Sequence, residues 1–366
     1  MTQTSTKDHE SQNAPSKPRR RRWLRVVFVL LILCLIFTAS CGLYLRRAMK
    51  DGGYLEDWDS ETDGQVLEDV KYGTESWQVM DVYIPKNFQA SQMRGAVLFI
   101  HGGAWIGGSR MEQVGFAKRA AKDGYLTANM EYMLYRDDVK SEYSITRVLD
   151  DVDAAIAKLK EIGEELGCEL DRVALSGHSA GGHISSLYAY SRGKEAPLEV
   201  AFIMARVAPI DFHADAWAPN LKAKSVAGLV SAMTGTEIDA AALENPDEKT
   251  EELINSVSPL SYVKPGVTPT LSAYGAKDSI VPAGHPRKIK EAFEKLEAKS
   301  VVDVHPADTE TPVFDYIEFP TSNHMLARDP DCTMRLWGLF LSYSKRYLQK
   351  HEEHGDILSE WGTDGE

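Results

Sequence analysis

Between residues 66 and 348, short apolar runs alternate with longer segments whose apolar positions recur every three or four residues. The runs predict strands and the recurring positions predict amphipathic helices. Ala96-Val97-Leu98-Phe99-Ile100 is hydrophobic without a break, as a strand buried on both faces should be. Further strands are expected at 66–72, 77–84, 125–130, 173–175, 200–205, 270–274 and 314–319, and helices at 111–121, 145–166, from about Ala180, at 287–296 and at 334–348. The helix at 145–166 is the most regular, with Val148, Leu149, Val152, Ile156, Leu159 and Ile162 on one face. Strands alternating with helices of this length require right-handed crossovers, so the expected fold is α/β, a mostly parallel sheet covered on both faces. Residues 209–263 interrupt the alternation with mostly helical composition and are expected to form a lid over the strand ends. No internal repeat is visible.

The ends of the chain follow other rules. Residues 1–18 are polar and predicted to be disordered; Arg19 to Arg22 and Arg25 then precede an uncharged run at 26–45, which as a helix spans roughly 30 Å. The basic flank predicts a cytoplasmic N-terminus and an extracytoplasmic body. The expected organisation is a basic tail at 1–22, a transmembrane signal anchor at 23–47, a linker at 48–64, one α/β domain at 65–350 and an acidic tail at 351–366. A cleaved signal peptide and a lipoprotein signal ending at Cys41, after Thr38-Ala39-Ser40, are the alternatives. The apolar run continues through Leu43-Tyr44-Leu45 to Arg46-Arg47, which favours the anchor. All three readings export the body.

Composition narrows the classes. Hydrophobic residues at 43% and charged residues at 26% exclude a disordered, collagen-like or disulfide-stapled chain. The formal charge of −13 is unevenly spread: residues 1–50 hold ten Lys/Arg against two Asp/Glu, so the remainder, with 31 against 52, carries −21. An acidic body repels phosphate backbones, which excludes nucleic acid as the expected partner. Cys168 and Cys332 are the body's two thiols, and spacing does not decide whether they pair.

Candidate chemistry concentrates at predicted strand exits. Gly177-His178-Ser179-Ala180-Gly181 fits G-x-S-x-G between a buried strand and a helix, where a sharp turn would expose Ser179 and aim the Ala180 N–H at a developing oxyanion. An incidental Gly-rich turn would not need that context. His101-Gly102-Gly103-Ala104-Trp105 follows the strand ending at Ile100, and the N–H groups of Gly102 and Gly103 are further candidate oxyanion donors. His101 is expected to fix this loop, and Trp105 to pack. A serine nucleophile needs a base and a carboxylate behind it. Asp278 and His324 each follow a separate later strand, with Asp211 as reserve acid and His285 as reserve base. His183 is read as packing or hydrogen bonding, and His213 and His305 have no predicted partner. No metal or nucleotide motif is present, so no cofactor is expected.

Together, Asp81-Val82-Tyr83-Ile84-Pro85, the His101 and Ser179 motifs, Gly182-His183, the Asp278 loop with Val281-Pro282, and His324 resemble an α/β-hydrolase of the esterase/lipase group. That group includes hormone-sensitive-lipase-like carboxylesterases, kynurenine formamidases and acetyl-xylan or feruloyl esterases, and the resemblance spans roughly residues 66–348. It implies a Ser179, Asp278, His324 triad, an oxyanion hole of Gly102, Gly103 and Ala180, and cleavage of small-molecule or acylated esters through an acyl-enzyme. Ala104 stands where many members have a third glycine, a departure that argues against bulky tertiary alcohol esters. Two other readings share the motifs: an amide-cleaving relative, peptidase or formamidase, and a catalytically idle hydrolase domain used for surface binding.

Overall fold

The computed structural model describes residues 56–86, 93–300 and 313–348. The basic tail, the apolar run at 26–45, the acidic tail and His305 lie outside these residues. Among the described residues no helix is long and apolar enough to cross a membrane.

The ordered body opens with two strands, β1 (Gly64–Lys71) and β2 (Val79–Pro85), paired antiparallel with Val66 opposite Tyr83. Trp58, in the stretch read as linker, packs edge-on against Tyr83 with ring centroids 5.6 Å apart. β3 (Ala96–Ile100), α1 (Val114–Lys122), β4 (Leu126–Met130), α2 (Ile145–Glu165), β5 (Arg172–His178), α3 (Ala180–Ser191) and β6 (Glu199–Arg206) then alternate. Four helices interrupt the alternation: α4 (Ala214–Trp217), α5 (Ala223–Thr234), α6 (Ala240–Glu244) and α7 (Glu248–Val257). It resumes with β7 (Thr270–Gly275), α8 (Gly284–Ser300), β8 (Phe314–Phe319) and α9 (Pro330–Tyr343).

The eight strands form one sheet in the order β1-β2-β4-β3-β5-β6-β7-β8. β2 meets both β1 and β4 antiparallel, and every pairing from β4 to β8 is parallel. β3 is central, with Leu98 level with Ala128 on one side and Leu175 on the other, and all five of its residues are buried. That explains its unbroken hydrophobicity: helices cover both faces, so neither can be polar. α2 begins where the Ser144 side chain accepts the Arg147 N–H at 3.3 Å, and its periodic face from Val148 to Ile162 is buried.

Most boundaries differ from the sequence expectation by one to a few residues, and three of the differences have a visible cause. β5 runs on through Ser176, Gly177 and His178 because its ladder with β6 continues to Arg206, which hydrophobicity alone does not reveal. The helix expected at 111–121 starts as a 3-10 turn at Arg110–Gln113, where the Arg110 N–H is taken by the Glu131 carboxylate at 3.1 Å. α9 begins earlier, with Pro330 in its first turn, where the missing proline N–H would be unsatisfied anyway.

Backbones approach closely where α3 leaves β5 and passes under β3. A Cβ on Gly181 would lie 2.1 Å from the Ile100 carbonyl oxygen, and one on Gly177 would lie 2.2 Å from the Gly181 backbone. Both neighbours are backbone and cannot swing aside. Gly181→Ala is therefore expected to cost ~3 kcal/mol or more, at the upper end of overpacking penalties, and to lower Tm by several degrees or abolish soluble expression. Circular dichroism melting against Gly228→Ala, where a Cβ meets nothing within 4 Å, checks this.

Candidate active site

Ser179 joins β5 to α3 with φ 55° and ψ −118°, a left-handed conformation that costs an L-residue of order 1–3 kcal/mol. The turn is held on both sides: the Ser179 N–H donates to the Arg206 carbonyl at 2.9 Å and its carbonyl accepts the His183 N–H at 3.0 Å. Ala180 is the first residue of α3, so its N–H is among the amides that lack an intrahelical acceptor. Ser179 is 9% exposed.

The loop after β3 approaches this turn. A Cβ on Gly102 would come within 3.3 Å of the Ser179 Cβ. Gly103 has φ +107°, and Ala104 and Trp105 follow at φ 53° and 62°, so Ala104 takes up a conformation suited to glycine. The tight turn closes with the N–H groups of Ile106 and Gly107 both donating to the Gly103 carbonyl. His101, fully buried, donates from Nδ1 to the Gly102 carbonyl at 2.7 Å, stacks on Tyr132 and places Nε2 3.3 Å from the Glu131 carboxylate. It fixes the loop, as its position at a strand exit suggests.

Trp105 packs between His183 and Phe212 and donates from Nε1 to His183 Nδ1 at 3.2 Å. An indole N–H can only donate, so the His183 proton sits on Nε2 and is given to the Val257 carbonyl at 2.8 Å. Burial pushes His183 down to about 4, which keeps this tautomer neutral near pH 7. One ring thereby ties the His101 loop to the end of α7.

The structure brings Asp278 and His324 together. His324 Nδ1 lies 2.7 Å from Asp278 Oδ2, although the two are far apart in sequence. The other carboxylate oxygen accepts the N–H groups of Ile280 and Val281 at 2.8 and 3.0 Å, and the Asp278 side chain is 2% exposed. The loops bearing the pair are laced together by the Lys277 N–H donating to the Ser322 carbonyl at 3.0 Å. The His324 loop is closed behind by Asp329, which accepts the Ser322 hydroxyl at 2.6 Å. His178, beside Ser179, reaches the His324 carbonyl with Nε2 at 2.9 Å. That contact is not visible in the sequence, because nothing in the motif shows where the side chain before the serine points.

The reserve residues lie in other networks. His285 is fully buried, accepts the Ile210 N–H at Nδ1 at 3.2 Å and is pushed down to about 3 by burial. Asp211 accepts from His213 Nδ1 at 2.6 Å and from Lys288, which also reaches Asp215. Burial would raise the Asp211 pKa, but these two partners outweigh it and hold it down at about 2. His213, for which the sequence offered no partner, is also 3.1 Å from Glu251 on α7. Asn220, after α4, donates to the Ser279 carbonyl at 2.9 Å, so the helical insertion touches the Asp278 loop directly. Cys168 and Cys332 are not joined by a disulfide. Among the described residues no group of three His, Cys, Asp or Glu side chains is arranged to hold a metal ion.

His213 makes the contact between the segment after β6 and α7, within residues 209–263, pH-dependent. Its hydrogen bond to Asp211, supported by Glu251, raises its pKa above the ordinary 6.5, so its contribution is complete below 6.5 and is lost as pH rises through the raised value. The Tm gap between wild type and His213→Gln should accordingly be wider by ~2 °C or more at about pH 6 than at about pH 9, by differential scanning calorimetry. A gap that does not change with pH would refute it.

Comparison with known proteins gives a consistent picture. The BD-FAE family model matches residues 80–293. The esterase LipC of Mycobacterium tuberculosis is 24% identical over 266 residues, covering 70% of this chain but 58% of that protein, and the esterase LipQ of the same organism is covered over 56% of its length. The chain therefore spans little more than half the length of these relatives. Among solved structures, a truncated carbohydrate esterase from gut microbiota superimposes with TM-score 0.60 at 16% identity, over 79% of this chain and 100% of that one. A C6-C4 SN3 inhibited esterase B from Lactobacillus rhamnosis gives 0.57 at 17% identity, over 86% and 97%. At these identities the structures establish a shared fold.

Proposed function

The chain belongs to the BD-FAE family and has the α/β-hydrolase fold, and from that premise we propose that it is a serine hydrolase of carboxylic esters. The observation that carries the reading is the buried His324–Asp278 pair at 2.7 Å, whose His324 backbone is reached by His178, the neighbour of the strained Ser179. Asp278 holds the His324 proton on Nδ1, which leaves Nε2 as the basic nitrogen. That nitrogen takes the Ser179 hydroxyl proton as Oγ forms a bond to the acyl carbon. The carbonyl electron pair moves onto oxygen, where the N–H groups of Gly102, Gly103 and Ala180 receive it. Collapse breaks the bond to the alkoxy oxygen, which leaves with the proton from His324. Water then repeats the sequence on the acyl-enzyme and frees the carboxylic acid. Every step uses groups of the chain and water.

The names of the structural neighbours, a carbohydrate esterase, an inhibited esterase B and a butyrate-bound esterase, support small-molecule or acylated esters as the substrate class. The run at 26–45 supports a single membrane anchor with the catalytic body outside the cytoplasm.

Hydrolysis of p-nitrophenyl acetate, butyrate and octanoate by the full-length protein tests the reading. Ser179→Ala should lose ~10⁴-fold or more in kcat and all labelling by a fluorophosphonate, and Asp278→Asn roughly 10³–10⁴-fold, because the amide no longer fixes the imidazole tautomer. Undiminished turnover in Ser179→Ala would exclude the mechanism.

A further inference from the structure

The residue that precedes the nucleophile is a histidine placed between the two loops on which the proposed chemistry depends. His178 ends β5, level with Arg206 in the ladder, and is 5% exposed. On one side its Nε2 meets the His324 carbonyl at 2.9 Å, and its ring stands edge-on to the His324 ring with centroids 5.1 Å apart. On the other, a Cβ on Gly102 would be 3.0 Å from the His178 carbonyl oxygen and 3.3 Å from Nδ1, so bare glycine backbone lies against it.

We propose that His178 is a positioning residue for the base: its Nε2–H bond to the His324 carbonyl sets the height of the His324 loop over the Ser179 turn. The inference rests on the reading of Ser179, His324 and Asp278 as the reacting groups. Asp278 fixes the direction of the imidazole through Nδ1, but the backbone from which that side chain hangs needs its own restraint. The loop also contains Leu326 at φ 51°, a strained residue that needs surrounding contacts to persist. His178 supplies the restraint from the residue next to the nucleophile, so serine and base share one reference point.

The chemistry also explains why the donor is a neutral imidazole. A carbonyl oxygen only accepts, so Nε2 carries the hydrogen. Burial, with the neighbouring Arg206 guanidinium and His324, holds the His178 pKa well below its ordinary value. A cationic donor at this distance would oppose the imidazolium that His324 becomes during reaction, and a neutral one does not. A displacement of ~1 Å in a catalytic group is enough to cost about 10²-fold in rate, which is the scale at stake.

The test compares His178→Phe, which keeps a ring but cannot donate, with His178→Gln, whose amide N–H reaches a similar distance. The readouts are kcat and KM for p-nitrophenyl butyrate and the low-field proton resonance of the His324–Asp278 bond. His178→Phe should lower kcat by ~10²-fold with KM within about 3-fold and should shift or broaden the resonance, while His178→Gln should recover kcat to within about 5-fold of wild type. Should the Phe variant not fold, His178→Met, flexible and without a donor, takes its place with the same expectation. A donor-free variant with wild-type kcat, or a Gln variant as impaired as the donor-free one, overturns the inference. Absence of Ser179-dependent turnover in the wild type would instead overturn the esterase reading itself.

Discussion

The site depends on one backbone crossing, the passage of α3 beneath β3 immediately after the Ser179 turn. Gly177 and Gly181 allow it, since a Cβ at either would fall about 2 Å from backbone atoms. This close approach brings the start of α3, and with it the Ala180 N–H, up to the end of β3, where Gly102 and Gly103 follow. The left-handed Ser179 is the cost of turning from strand to helix within one residue. It is held by hydrogen bonds to Arg206 and His183, so folding energy from the sheet and α3 stabilises a conformation the serine would not choose.

Around that crossing, buried histidines act as fixed brackets. His101 holds the Gly102 carbonyl, His183 joins Trp105 to α7, and His178 joins the Ser179 turn to the His324 loop. Burial keeps His178 and His183 neutral, and their partners dictate which nitrogen carries the proton. The strained Ala104 and Trp105 are tolerable because the Trp105 indole is locked into this set. His213 differs: half-buried between Asp211 and Glu251, it gains affinity for a proton, and its bonds join the segment after β6 to α7 within residues 209–263.

What the sequence reveals follows from where its signals come from. β3 was legible to the residue because burial on both faces demands an unbroken apolar run, and the edge strand β8 because its alternating aromatic and acidic residues are clearly bounded. The Ser179 turn was legible because a sharp strand-to-helix passage demands glycine at fixed spacing. Asp278 and His324 could be placed only as strand exits; their meeting at 2.7 Å depends on β7 and β8 being neighbours, which no local pattern encodes. The extension of β5, the roles of His178 and His213, and the Glu131 contact to His101 were illegible for the same reason. The first is a backbone pairing with β6 and the others are contacts of polar side chains, and polar residues carry no periodic signature of what they face.

The most direct examination of the central claim, that Ser179 is acylated by an ester with His324 and Asp278 behind it, is rapid-quench mass spectrometry of the protein mixed with p-nitrophenyl butyrate. One butyryl group per chain, on the peptide containing Ser179 and formed no more slowly than turnover, is the predicted result. Turnover without an adduct, or an adduct on another residue, would contradict it.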